Sequence, residues 1–218
     1  MKKNMILIFM LIFIGCAFFS ARSHIIKGDE YYYQGKYKEA LSEYQKALKH
    51  DPESRDVRRQ IGLLYNTNKK YQEAIALFTK LVAEDSADLE SEMGLGVAYL
   101  QTNLAKARET YLDILKKDEN HYGAHEQLGW TYYYEKNYPQ AKERFKIVQD
   151  SFHRNASAQT ALGWIAMAEN NWEAAYEQFD ALLDNDPNHK AAQEAMKTIR
   201  QHYQPPRESP FIHFPWQK

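Results

Sequence analysis

His121 and His125 lie four residues apart, a spacing that places two imidazoles on one face of a helix, as in the first half of a metal site. No third ligand is fixed by spacing, and His121 falls where a loop is expected, so neither a metal nor any other cofactor is expected. No GxSxG, P-loop, GxGxxG or HExxH motif is present, and no catalytic residue is assigned. Cys16 is the lone cysteine, so no disulfide can support the fold. Asn155-Ala-Ser157 is a sequon, relevant only in a glycosylating host. More telling are two tryptophans, Trp130 and Trp164, with Tyr133 and Tyr134 between them. Rigid aromatics are common hot spots of protein interfaces. The chemistry on offer is recognition rather than catalysis.

These residues belong to a repeat. Gly28, Gly62, Gly96, Gly129 and Gly163 are spaced 34, 34, 33 and 34 residues apart. Ala40, Ala74, Ala107, Ala141 and Ala175 follow in phase, and so do Tyr44, Phe78, Tyr111, Phe145 and Phe179. Such a period, with small and aromatic residues at fixed offsets, marks a helical solenoid of two-helix units. A glycine inside a helix costs about 1 kcal/mol relative to alanine. Five at one phase imply close approach of a neighbouring helix, where no Cβ fits. The alanine and aromatic ladders form the inward stripe of the second helix. Gly96 and Ala107 are one residue closer than their counterparts, which places a deletion in the turn near residues 101–103.

Leu128-Gly129-Trp130-Thr131-Tyr132-Tyr133, followed by Ala141 and Phe145, resembles the tetratricopeptide repeat (TPR), as do Pro52 and Pro187 at unit ends. The resemblance spans about residues 21–189. It implies an all-α, right-handed superhelical solenoid of about five helix pairs: about 21–54, 55–88, 89–121, 122–155 and 156–189. The stretch 190–203, with Ala192, Ala195, Met196 and Ile199 on one side, reads as a capping helix over the open edge of the last unit. Departures are Lys27 for the apolar residue before the first glycine, and Ser86, Glu119 and His153 in place of the terminal proline.

In this family the first helix of each unit lines a concave groove that takes a protein or peptide. Carried over by phase, the expected groove residues are Tyr32, Tyr33, Leu63, Met93, Val97, Trp130, Tyr133, Tyr134, Trp164 and Met167. Ile25 and Asp29 stand where related proteins that bind acidic chaperone tails carry Lys and Asn, which argues against such a ligand. An apolar, aromatic groove suits segments with hydrophobic anchors. The competing reading of Trp130 and Trp164 is that they only pack between adjacent first helices.

The ends differ in character. Residues 1–20 carry Lys2 and Lys3 and then an apolar run from Met5 to Phe19, the form of an export signal. Phe13-Ile14-Gly15-Cys16 resembles a bacterial lipobox, although Phe13 replaces the usual Leu. Lipidation of Cys16 is expected, which would tether the protein to the membrane. The alternatives are an uncleaved inner-membrane anchor and a cleaved soluble form. In a lipoprotein of a two-membrane bacterium, Ala17 in place of the Asp associated with inner-membrane retention would imply, by analogy, outer-membrane attachment facing the periplasm. Residues 204–218 hold four prolines with Phe211, Ile212, Phe214 and Trp216, too apolar for a solvated tail. This tail is expected to pack back on the solenoid or to dock on another protein.

The formal charge is −1, and removing the segment before Cys16 takes it to −3. No basic stripe suggests nucleic acid. The expectation is an exported, membrane-tethered interaction scaffold of the bacterial cell envelope, supporting assembly, secretion or export of a partner. The alternative is a regulatory adaptor of envelope enzymes such as those remodelling peptidoglycan. Oligomeric state is not legible in the sequence.

Overall fold

The computed structural model describes residues 20–151 and 155–204. Cys16, the apolar run before it, and the aromatic residues of the tail lie outside the described residues. Within them the chain is all-α, with eleven helices and no strand. Five helix pairs run α1 (residues 20–33) with α2 (Tyr37–His50), α3 (Arg55–Thr67) with α4 (Tyr71–Glu84), α5 (Leu89–Leu100) with α6 (Leu104–Lys117), α7 (Tyr122–Tyr134) with α8 (Tyr138–Ser151), and α9 (Ala156–Ala168) with α10 (Trp172–Asn185). An eleventh helix, α11 (Lys190–His202), follows.

The turn inside each pair follows from local chemistry. Gly35, Lys69, Lys136 and Asn170 adopt left-handed φ angles of 72°, 59°, 59° and 58°. Each ends its helix in a Schellman arrangement, with paired i−5 and i−3 backbone bonds. In the first pair these are Lys36 N–H to the Tyr31 carbonyl at 2.8 Å and Gly35 N–H to the Tyr32 carbonyl at 2.9 Å. The third pair breaks this pattern. There Asn103 N–H donates to the Tyr99 carbonyl at 2.6 Å, an i−4 bond, and Thr102 has no positive φ. The missing residue of this repeat is therefore the left-handed one, and the helix interiors are undisturbed.

Between pairs the chain turns on aspartate. Asp85, Asp118 and Asp186 each accept the backbone N–H two residues on, at 3.0–3.1 Å. This side-chain turn forms whether the next residue is Pro187 or, as at Ser86 and Glu119, not a proline. The next helix is then capped at its N-terminus. Asp88, His121, Asn155 and His189 each accept the N–H three residues on.

The glycine and aromatic ladders meet inside each pair. A Cβ on Gly28, Gly62, Gly96, Gly129 or Gly163 would lie 2.5, 2.6, 2.5, 2.9 or 2.7 Å from the ring of Tyr44, Phe78, Tyr111, Phe145 or Phe179 respectively. The ring lies against bare backbone, so the two ladders are one contact repeated five times. Gly94, outside the ladder, meets Phe78 from the following helix, where a Cβ would clash with the ring as well. Phe78 is thus gripped between two glycines of successive pairs.

The described chain divides into two compact bodies, the first ending at Ala124 and the second beginning at His125, within α7. In the first body, Ala40, Tyr44, Ala47, Val57, Ile61 and Leu64 form one buried cluster, and Ala74, Phe78, Leu81 and Ala98 another. Ion pairs on one side link α3 to the following pair. Arg55 reaches Asp85 at 2.8 Å and Asp88 at 3.0 Å, and Arg59 reaches Glu90 at 2.8 Å, whereas Lys117 on α6 pairs with Glu92 on α5 inside the third pair at 2.6 Å. In the second body, α11 lays Ala192, Ala195, Met196 and Ile199 over Ala175, Phe179 and Leu182. It thereby covers the apolar edge of the last pair, as solenoid ends require.

Candidate functional site

In the second body, the residue after each ladder glycine is a tryptophan: Trp130 on α7 and Trp164 on α9. The glycine brings the helix down onto the aromatic ladder, which seats Trp130 edge-on against buried Phe145, with centroids 5.1 Å apart. Trp164 meets Trp130 in a T-shaped contact at 5.9 Å. Tyr133 and Tyr134, one turn further along α7, lie 5.7 and 6.3 Å from Trp130. Tyr138, opening α8, touches Tyr133 at 5.9 Å. Edge-to-face pairs of this kind contribute about 0.5–1.5 kcal/mol each beyond their buried area.

The result is an aromatic surface rigid from below and open above. Trp164 is 36% exposed and Tyr134 55% exposed. Trp130 does pack between helices, as the competing reading had it, yet the cluster also faces solvent. Met167 is half-buried and leans on the α9–α11 core. Burial holds the Tyr133 hydroxyl above its ordinary pKa, with neighbouring Tyr138 and Tyr134 adding to the effect. The Tyr133 hydroxyl therefore stays uncharged at neutral pH, and the surface offers π faces with a few hydroxyls.

In the first body the expected residues are differently set. Tyr32 is half-buried between Tyr33 at 5.8 Å and Tyr37 at 5.7 Å, and Tyr33 is 87% exposed. Leu63, Met93 and Val97 are half-buried apolar residues, and Leu63 packs against the cluster that holds Phe78. Polar groups lie on the same helices. Asn66 donates to the Gly94 carbonyl at 2.8 Å, and Arg59 spans Asp88, Glu90 and Ser91. A groove lined by Arg22, Ile25, Asp29, Asp56 and Gln60 lies between α1 and α3 and mixes charged, polar and apolar groups.

The histidine pair is accounted for by structure. His121 accepts the Ala124 N–H through Nδ1 at 3.0 Å and caps α7, while His125 is buried. Among the described residues no three His, Cys, Asp or Glu side chains converge on a metal position. Asn155, the sequon residue, caps α9 through its side-chain oxygen at 2.8 Å. Thr160, on α9, is buried and donates to the Ala156 carbonyl. Three features were missed in the sequence: the aspartate turns, the second glycine against Phe78, and the arginine links from α3. The aspartates were legible, since Asp51, Asp85, Asp118 and Asp186 recur in phase. The arginine pairings were not, since an ion pair across two pairs of helices has no local spacing.

The tetratricopeptide-repeat family model matches residues 27–88 and 126–190, more than half of the chain, and the chain belongs to that family. Its members are in general protein-interaction scaffolds rather than catalysts. Among solved structures, a thermophilic TPR protein of Thermus thermophilus is 18% identical, with a TM-score of 0.70 over 83% of this chain and 99% of that one. PilW, a type IV pilus biogenesis factor, is 21% identical, with a TM-score of 0.72 over 81% of this chain and 82% of its own. YrrB, a TPR protein with an unusual peptide-binding site, is 23% identical, with a TM-score of 0.60 over 80% and 90%. At these identities the likeness is one of fold. The curated proteins contain no match.

Proposed function

We propose that this chain is an exported, membrane-tethered TPR scaffold of the bacterial cell envelope, which holds a protein partner during assembly, secretion or export. The observation that carries the binding part is the aromatic surface of Trp130, Tyr133, Tyr134 and Trp164. Four rigid rings packed on one another and left open to solvent present preorganised apolar area at little entropic cost. A scaffold with this surface would hold a segment carrying hydrophobic or aromatic anchors. That a fold neighbour is a pilus biogenesis factor and another a peptide binder makes such a role familiar for this architecture, without naming the partner.

The address rests on the sequence alone. Lys2, Lys3, the apolar run and Gly15-Cys16 support export with lipid on Cys16, and no helix among the described residues is long and apolar enough to cross a membrane. Two experiments test the two halves. Affinity capture from detergent-solubilised membranes should recover a partner with the wild type and lose it with Trp164→Ala. Recovery unchanged by that substitution would remove the aromatic surface from the account. Metabolic labelling with a fatty-acid probe should mark the wild type and not Cys16→Ser. Equal labelling of the two would remove the lipid anchor.

A further inference from the structure

We infer that the chain's own C-terminal segment, residues 205–218, docks in cis on the aromatic surface of α7 and α9 and competes there with the partner. The inference rests on reading that surface as the partner-binding site.

Position comes first. Tyr203, which follows the last residue of α11, packs against the α9–α11 core, as do Met167 and Trp172. Its ring lies 5.8 Å from that of Tyr176, and its hydroxyl donates to Glu173. His202 stacks on Trp172 at 4.2 Å. The end of α11 is therefore held at the α9–α10 turn. Met167, packed on the same core as Tyr203, lies one helical turn from Trp164 on α9. The segment's fourteen residues, at about 3.3 Å each when extended, have far more reach than one helical turn needs.

Chemistry comes second. The segment holds Phe211, Ile212, Phe214 and Trp216, which gain by leaving water, and four prolines that restrict it beforehand. Proline-rich segments dock on aromatic-lined surfaces because their ordering cost is already low. Charge agrees as well. Arg207 and Lys218 flank the apolar residues, and exposed Glu173 and Glu177 stand on α10 beside the departure point. Tethering supplies an effective concentration up to about millimolar, so even weak docking is populated.

The test is hydroxyl-radical footprinting of the full chain against the chain ending at Gln204, reading oxidation at Trp164 and Tyr134. Tyr33, in the first body, serves as the internal reference. A segment of millimolar intrinsic affinity is docked at least half the time, so its removal should raise Trp164 oxidation about twofold or more, with Tyr33 unchanged. The full-length double variant Phe214→Ala, Trp216→Ala should show the same rise, which separates lost docking from a loosened α11. Unchanged Trp164 oxidation in both variants would overturn the inference. So would protection that disappears on tenfold dilution of the full chain, since the occupant would then be the segment of a second copy. Partner capture separates this inference from the reading beneath it. Capture that depends on Trp164, with no footprint change, leaves the scaffold and removes the docked segment. A footprint change with capture indifferent to Trp164 leaves the docked segment and removes the partner site.

Discussion

Pairs one and four carry the same tyrosine trio at the same phase: Tyr32, Tyr33 and Tyr37 in one, Tyr133, Tyr134 and Tyr138 in the other. Their geometries nearly coincide, with first contacts of 5.8 and 5.7 Å and second contacts of 5.7 and 5.9 Å. What differs is the residue after the ladder glycine. In pair one it is Asp29, which accepts the Tyr44 hydroxyl at 2.6 Å. In pair four it is Trp130, which lies on Phe145 and extends the trio toward Trp164. The repeat thus fixes the backbone and the buried ring, and a single variable position decides whether the surface above is polar or aromatic. Asp29 faces a tyrosine that needs an acceptor, whereas Trp130 lies over a phenylalanine.

The largest effect should come from the contact that both regions share. Gly28→Leu and Gly129→Leu each drive a side chain into a buried ring, and each should cost about 1–3 kcal/mol or more by overpacking. Thermal melting checks this. Adding Phe145→Ala to Gly129→Leu should recover part of the loss, because the ring is the obstacle. Equal Tm values for wild type and both single variants would mean that the ring-on-backbone contact does not hold the pairs together.

A second pair of substitutions separates the two ladder tyrosines. Tyr44→Phe removes a donor from Asp29 and should cost about 1–2 kcal/mol, since hydrogen bonds to charged groups are the stronger kind. Tyr111→Phe should be neutral or stabilising by up to about 1 kcal/mol. The Tyr111 hydroxyl is fully buried with no hydrogen-bond partner among the described residues, and Val97 occupies the position of Asp29. Burial alone pushes its pKa well up. Chemical denaturation of both variants reads the difference, and equal shifts would erase the distinction.

Turn chemistry predicts a smaller gain. Lys136→Gly relieves a left-handed residue and should add up to about 1 kcal/mol, whereas Thr102→Gly, in the turn that lacks one, should add nothing. A gain at residue 102 to match that at 136 would mean the third turn is of the same kind as the others.

The smallest effect is on pH. Glu43, Glu84, Asp85 and Asp88 all lie in the first body with pKa values held below the ordinary carboxylate range. Hydrogen bonds from Lys46 and His24 act on Glu43, from Arg58 on Glu84 and from Arg55 on Asp85. At Asp88, desolvation opposes the shift and is outweighed by the Ser91 bonds and Arg59. A depressed pKa stabilises the fold above the unfolded value and ceases to do so as pH falls through the folded one. Hydrogen exchange below the ordinary carboxylate range should therefore loosen α3 and α4 before α9 and α10. The reverse order would contradict these assignments.

How far the sequence reached follows the same division. The ladders made the fold class and the helix pairs legible, because each repeat must bury one ring against one glycine. Gly94 escaped notice because it serves the preceding pair and lies off the period. The side-chain acceptor for Tyr44 and the arginine links of α3 depend on side-chain reach between repeats, which spacing does not encode. The tryptophans were legible as surface candidates from phase alone. The packing of Trp130 on Phe145 and of Trp164 on Trp130 needed coordinates.

The central claim is that recognition belongs to the aromatic surface of pairs four and five rather than to the polar face of pairs one to three. A photoreactive phenylalanine placed at Trp164 and, separately, at Tyr33 in cells tests it most directly, since both positions are exposed and neither supports a buried core. The account predicts a discrete crosslinked partner from position 164 and none from position 33. A partner captured only from position 33 would contradict it.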